Sequence, residues 1–109
     1  MWNEYPVCGL WFRMIAKMSA SQKQRAFFRH VKRGDHYKSE RDWLNAAACY
    51  SKALSVQPLS ASIWAQCGYV LQEQSHLGQS EAAYRIALAL DHGVAETHHR
   101  LGQLLVHRL

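Results

Sequence analysis

Gly34, Gly68 and Gly102 stand 34 positions apart, twice in succession. Other residues keep the same step: Tyr50 answers Tyr84, Ala53 answers Ala87 and Leu54 answers Leu88. The stretch from Ala48 to Leu54 is a near copy of the stretch from Ala82 to Leu88. A fixed period of this size marks one supersecondary unit used repeatedly, each copy burying its apolar face against the next. The 109 residues, 49% of them apolar, suffice for one compact unit with a core. Only two prolines and six glycines occur, which favours long helices joined by short turns. Valine, isoleucine and threonine are sparse, so a sheet is poorly supported. The expectation is an all-α fold.

The period and its residues resemble the tetratricopeptide repeat family, whose pattern places Trp, Leu, Gly, Tyr, small residues and Pro at set positions. A first unit over residues 27–60 matches through Gly34, Tyr37, Ala46, Tyr50, Ala53 and Pro58. It departs at His30, where tryptophan is usual, and at Arg33, where leucine is usual. A second unit over 61–94 matches through Trp64, Gly68, Tyr84 and Ala87. Leu71 and Ser80 are mild substitutions there, and Cys67 and His92 are departures. A third unit opens at Ala95 with Leu101 and Gly102 in place, and the sequence ends at Leu109 before a second helix. The resemblance implies an α-solenoid of antiparallel helix pairs, about two and a half repeats, preceded by an N-terminal helix.

Elementary rules place the helices independently. Val7, Leu10, Trp11, Met14, Ile15 and Met18 share one helical face, so residues 1–20 read as an amphipathic helix. Such a helix suits a cap over the first repeat, and equally an interfacial membrane helix. The repeat domain then occupies 21–109. Ser19 or Ser21 can cap the next helix, with Gln22 or Gln24 three residues on, and that helix runs to about Lys38. Asp42 is an N-cap for a helix ending near Val56, where Pro58 stops it. Ser60 can cap a third helix ending near Gln74. Gly78 reads as a turn, with a fourth helix over 79–90, and Asp91-His92-Gly93 as its exit. A last helix starts near Val94. Its Leu101, Leu104 and Leu105 are expected to lack a covering helix, which implies marginal stability or self-association through this end.

The net charge of +5 is concentrated. Residues 11–38 hold eight basic side chains against Asp35 alone, so this window carries +7 and the rest −2. A solvated helix face is the plain explanation. A nucleic-acid partner has no recognisable binding motif to support it. Cys8, Cys49 and Cys67 form an odd set without a close pair, which fits a reducing compartment and a cytoplasmic location. No apolar run reaches the ~20 residues of a membrane span, and no secretory signal is read at the start. None of the seven histidines is spaced three or four from another, so no helical metal pair forms and no metal or cofactor is expected. No nucleophile elbow or phosphate loop is present, and catalysis is not expected.

In the family resembled, the first helix of each pair lines a concave groove. Carried onto this sequence, the groove positions are Val31, Lys32, Asp35, Lys38 and Ser39 in the first unit. In the second they are Ala65, Gln66, Tyr69, Gln72 and Glu73. In the third they are His99, Arg100, Gln103 and His107. Val31, Ala65, Asp35 and Tyr69 stand where members that clamp a carboxylate terminus carry lysine and asparagine, so that clamp is doubtful. The implied function is a non-catalytic scaffold for a protein or extended peptide. The stretches 62–69, 81–91 and 95–102 also resemble the repeats ahead of the catalytic domains of some bacterial glycosyltransferases. The alternative is therefore a truncated N-terminal part of such a protein, supporting acceptor binding beside an adjoining catalytic domain.

Overall fold

The computed structural model describes residues 13–108. All regular structure among them is helical: α1 (Ala20–Ser39), α2 (Trp43–Val56), α3 (Ala61–Glu73), α4 (Leu77–Leu90) and α5 (Ala95–Arg108). The helices pack in neighbouring pairs. α1 lies against α2 and α3 against α4 most extensively, with smaller contacts between α2 and α3 and between α4 and α5.

Most of the expected helix over 1–20 lies outside the described residues. Residues 13–16 are helical. Ile15 is buried in the core and Met18 packs against it, whereas Met14 is exposed. The chain tightens there, Lys17 N–H donating to the Met14 carbonyl and Met18 N–H to that of Ile15. Ser19 then starts α1 with a complete capping box: Gln22 N–H donates to its Oγ and its own N–H donates to Gln22 Oε1. Asp42 caps α2 by accepting from Asn45 N–H at 3.3 Å. Ser60 sits at the N-cap of α3 but makes no side-chain cap bond.

The two exits between paired helices are alike at a 34-residue offset. After α1, Arg41 has φ 58°, its N–H donates to the Lys38 carbonyl, and Asp42 N–H donates to Tyr37. After α3, Ser75 has φ 64°, its N–H donates to Gln72, and His76 N–H donates to Leu71. Both exits therefore use the left-handed conformation that glycine adopts most cheaply, without glycine. Gly78 is not the turn the sequence suggested. α4 begins at Leu77, and Gly78 falls in its first turn, where the backbone N–H needs no intrahelical partner. At the far end Asp91 is the C-cap, and its carboxylate accepts from Gly93 N–H at 3.1 Å.

Each pair closes around a tyrosine. Tyr50 and Tyr84 are fully buried. A Cβ on Gly34 would lie 2.7 Å from Tyr50 Cε1, and one on Gly68 would lie 2.7 Å from Tyr84 Cδ1. Only a residue without a side chain lets those rings lie against the helix. Gly102 has no such neighbour within 4 Å. Ser80, at the position of the fully buried Ala46, donates its hydroxyl to the Gly68 carbonyl at 2.6 Å. This bond satisfies the buried oxygen. Trp64 Nε1–H donates to the Pro58 carbonyl at 2.8 Å. His98 Nε2–H does the same to the His92 carbonyl at 2.8 Å, again 34 residues on.

The expectation for the last helix is corrected. Leu101 and Leu104 are buried against Tyr84, with Leu105, Leu77 and Leu88 packed around them. Leu101 and Leu104 follow the buried Cys67 and Val70 by one period, and these positions face the preceding pair. The preceding α4 therefore covers them without any later helix.

Candidate functional site

α1, α3 and α5, with the turns and helix ends beside them, enclose an open groove of about 540 Å³. The C-terminal turn of α1 contributes Lys38 and Ser39, and Arg41 and Trp43 follow. Ala61, Ser62, Ala65, Gln66 and Tyr69 come from α3. Glu96, Thr97 and Arg100 come from α5, with Ala87, Asp91 and Val94 closing one end.

Helix periodicity puts Ala61, Ser62, Ala65, Gln66 and Tyr69 on one face of α3. The small residues keep the floor low while Tyr69 rises at one side. Trp43 stacks edge-on against Tyr69, centroids 5.9 Å apart at 85°. From the other side the Arg100 guanidinium sits 4.7 Å from the Tyr69 ring centroid. Arg100 also donates through Nη2 to Glu96 Oε1 at 2.8 Å and through Nε at 3.1 Å. The guanidinium is thus oriented before any ligand arrives. Lys38 Nζ donates to Gln66 Oε1 at 2.9 Å, joining α1 to α3 across the groove. The Lys38 partner is neutral, so its charge stays available to an incoming group.

Six of the fourteen positions inferred from the sequence line this groove: Lys38, Ser39, Ala65, Gln66, Tyr69 and Arg100. The other eight lie elsewhere. Val31 is half-buried and packs on the core. Asp35 accepts the Tyr50 hydroxyl at 2.5 Å, and Gln72 accepts that of Tyr84 at 3.2 Å. Lys32 borders a separate shallow recess with Arg33, His36 and Tyr37. Glu73, His99, Gln103 and His107 are exposed outside the lining. Arg41 and Trp43 also line the groove but lie outside the first helix of each pair, to which the resemblance confines it. The aromatic immediately after the Asp42 cap was the available signal.

Burial favours the neutral forms of Tyr84, Tyr50, Cys67 and His30. Burial pushes the Tyr84 phenol up to about 12, against the opposing pull of Arg100. Tyr50 is also raised, by burial and by its bond to Asp35. Burial pushes the Cys67 thiol up to about 12, which suits a packing residue and not a nucleophile. His30, at the position of Trp64, is buried, and its pKa is lowered by that burial and by Arg29, Lys52 and Arg33. Among the described residues no group of three or more His, Cys, Asp or Glu could hold a metal ion. None of the described helices is long and apolar enough to cross a membrane. No protein-family model matches the chain, and no curated protein matches it.

Proposed function

We propose that the chain is an α-solenoid of tetratricopeptide type that holds an extended polypeptide segment in the groove between α1, α3 and α5, and performs no catalysis of its own. The observation that carries the reading is the recurrence, at one 34-residue step, of the same glycine–tyrosine contact and the same left-handed helix exit. Stacked identical hairpins present their first helices side by side, and the groove between them is the surface such an array offers a ligand. The lining suits a peptide in extended conformation: hydrogen-bonding groups at Ser39, Gln66 and Thr97, cations at Lys38 and Arg41, and aromatic faces at Trp43 and Tyr69. The buried free thiols Cys49 and Cys67 agree with a reducing compartment such as the cytoplasm.

Panning a library of displayed random peptides against the intact chain tests this. Enriched peptides are expected to bind with a change in tryptophan fluorescence and to lose at least about tenfold in affinity against Tyr69→Ala, the size of one good aromatic contact. Peptides that bind Tyr69→Ala equally well would place the binding surface elsewhere.

A further inference from the structure

We propose a second interaction surface, outside the groove: the exposed face of α1 binds the phosphate backbone of a single-stranded nucleic acid. Arg25, Arg29, Lys32, Arg33 and His36 are all exposed. Their spacing of i, i+4, i+7, i+8 and i+11 sets them on one helical face, over about 16 Å of axis. No carboxylate pairs with them among the described residues. The ion pairs there join Arg85 to Glu81 and Arg100 to Glu96. Asp35, the acid within α1, lies off this face and is engaged by the Tyr50 hydroxyl.

The position of the stripe in the fold is informative. One period later the same sites are Ile63, Cys67 and Val70, all buried between helix pairs. At Arg29 and Arg33 that apolar interface is replaced by cations, and at His36 by a polar imidazole. Such a face repels an apolar helix and attracts a polyanion. Three of its four permanent cations are arginines, whose planar forks match phosphate oxygens.

Aromatic side chains edge the stripe and point to a single strand. Phe28 is 55% exposed beside Arg25 and Lys32. The His36 and Tyr37 rings lie 5.8 Å apart, and with Lys32 and Arg33 they border a recess of about 200 Å³. Unpaired bases stack on such faces, whereas the bases of a duplex already stack on each other. An anionic membrane would instead require an apolar helix face to enter the acyl boundary. The apolar face of α1, with Ala26, Phe27 and Gly34, is buried.

Fluorescence anisotropy of a labelled oligouridylate against the intact chain tests the proposal. Four Lys/Arg contacts at ~0.7 each predict a slope of log affinity against log salt of about −3. Arg29→Gln with Arg33→Gln is expected to bring the slope to about −1.5. Phe28→Ala should lower affinity about tenfold with the slope unchanged. These sites are exposed, and an unchanged circular dichroism spectrum verifies each fold. Absence of binding at low salt, or binding indifferent to the arginine pair, overturns the proposal. So does equal retention of phosphatidylserine vesicles or polyglutamate, or indifference of oligouridylate binding to Phe28→Ala.

Discussion

Adding one methyl group at Gly68 and one at Gly102 should move stability in opposite directions. At Gly68 the new Cβ would sit 2.7 Å from Tyr84 Cδ1 and Cε1 and 3.0 Å from Cγ. That ring is fully buried, so it cannot swing aside as an exposed side-chain end would. Overpacking of this kind costs up to about 3 kcal/mol. The gain in helix propensity from glycine to alanine offsets about 1 kcal/mol. Gly68→Ala is therefore expected to destabilise by about 2 kcal/mol, from those two magnitudes. At Gly102 nothing lies within 4 Å, so only the propensity gain of about 1 kcal/mol remains. Thermal melting followed by circular dichroism reads both changes. A domain of this size shifts by about 4–8 °C per kcal/mol, so Tm should fall by about 8–16 °C for Gly68→Ala and rise by about 4–8 °C for Gly102→Ala. Shifts of the same sign would refute the packing argument. So would a Gly68→Ala protein as stable as the parent.

Arg41 holds a left-handed φ of 58° and lines the groove, so Arg41→Gly should stabilise the fold by about 1 kcal/mol in urea titration while weakening capture of the extended peptide. Alkaline pH should destabilise the chain. Tyr84 and Cys67 have folded pKa values raised to about 12, so their contribution is complete below the unfolded values near 10 and 9 and is lost as pH climbs towards 12. The urea midpoint should therefore decline above pH 9, and Cys67→Val should remove the earliest part of the decline.

Much of the architecture was legible because it rests on local chemistry. The Asp42 cap is a short-range pattern that appears where the sequence places it, and of the two candidates Ser19 and Ser21 it is Ser19 that forms the box with Gln22. Gly78 misled because glycine marks turns in general, while here the helix start is fixed by the turn geometry at Ser75 and His76. Leu101 and Leu104, expected to lack a covering helix, are covered by the preceding one. Periodicity says that they share a face, but only packing says which helix meets that face. The groove was half legible for a similar reason. The tyrosine hydroxyls that engage Asp35 and Gln72 are contacts between helices, and no spacing rule within one helix predicts them. The bond of His98 to the His92 carbonyl repeats that of Trp64 to Pro58, a likeness between unlike side chains that residue identity does not signal.

The polar side chains of Arg29, Arg33 and His36 also give the succession of helix pairs a direction of growth. A duplicate of residues 61–94 joined ahead of α1 would press its closing helix onto two guanidinium groups and an imidazole and strip their water. Replacing them with the residues of the next copy, Ile, Cys and Val, would be the minimum edit that makes upstream elongation feasible. Beyond α5 no such edit is needed, since Gly102 already leaves room for the ring that a helix copied from 77–90 would bring. An engineer lengthening this protein should therefore build from its C-terminal side.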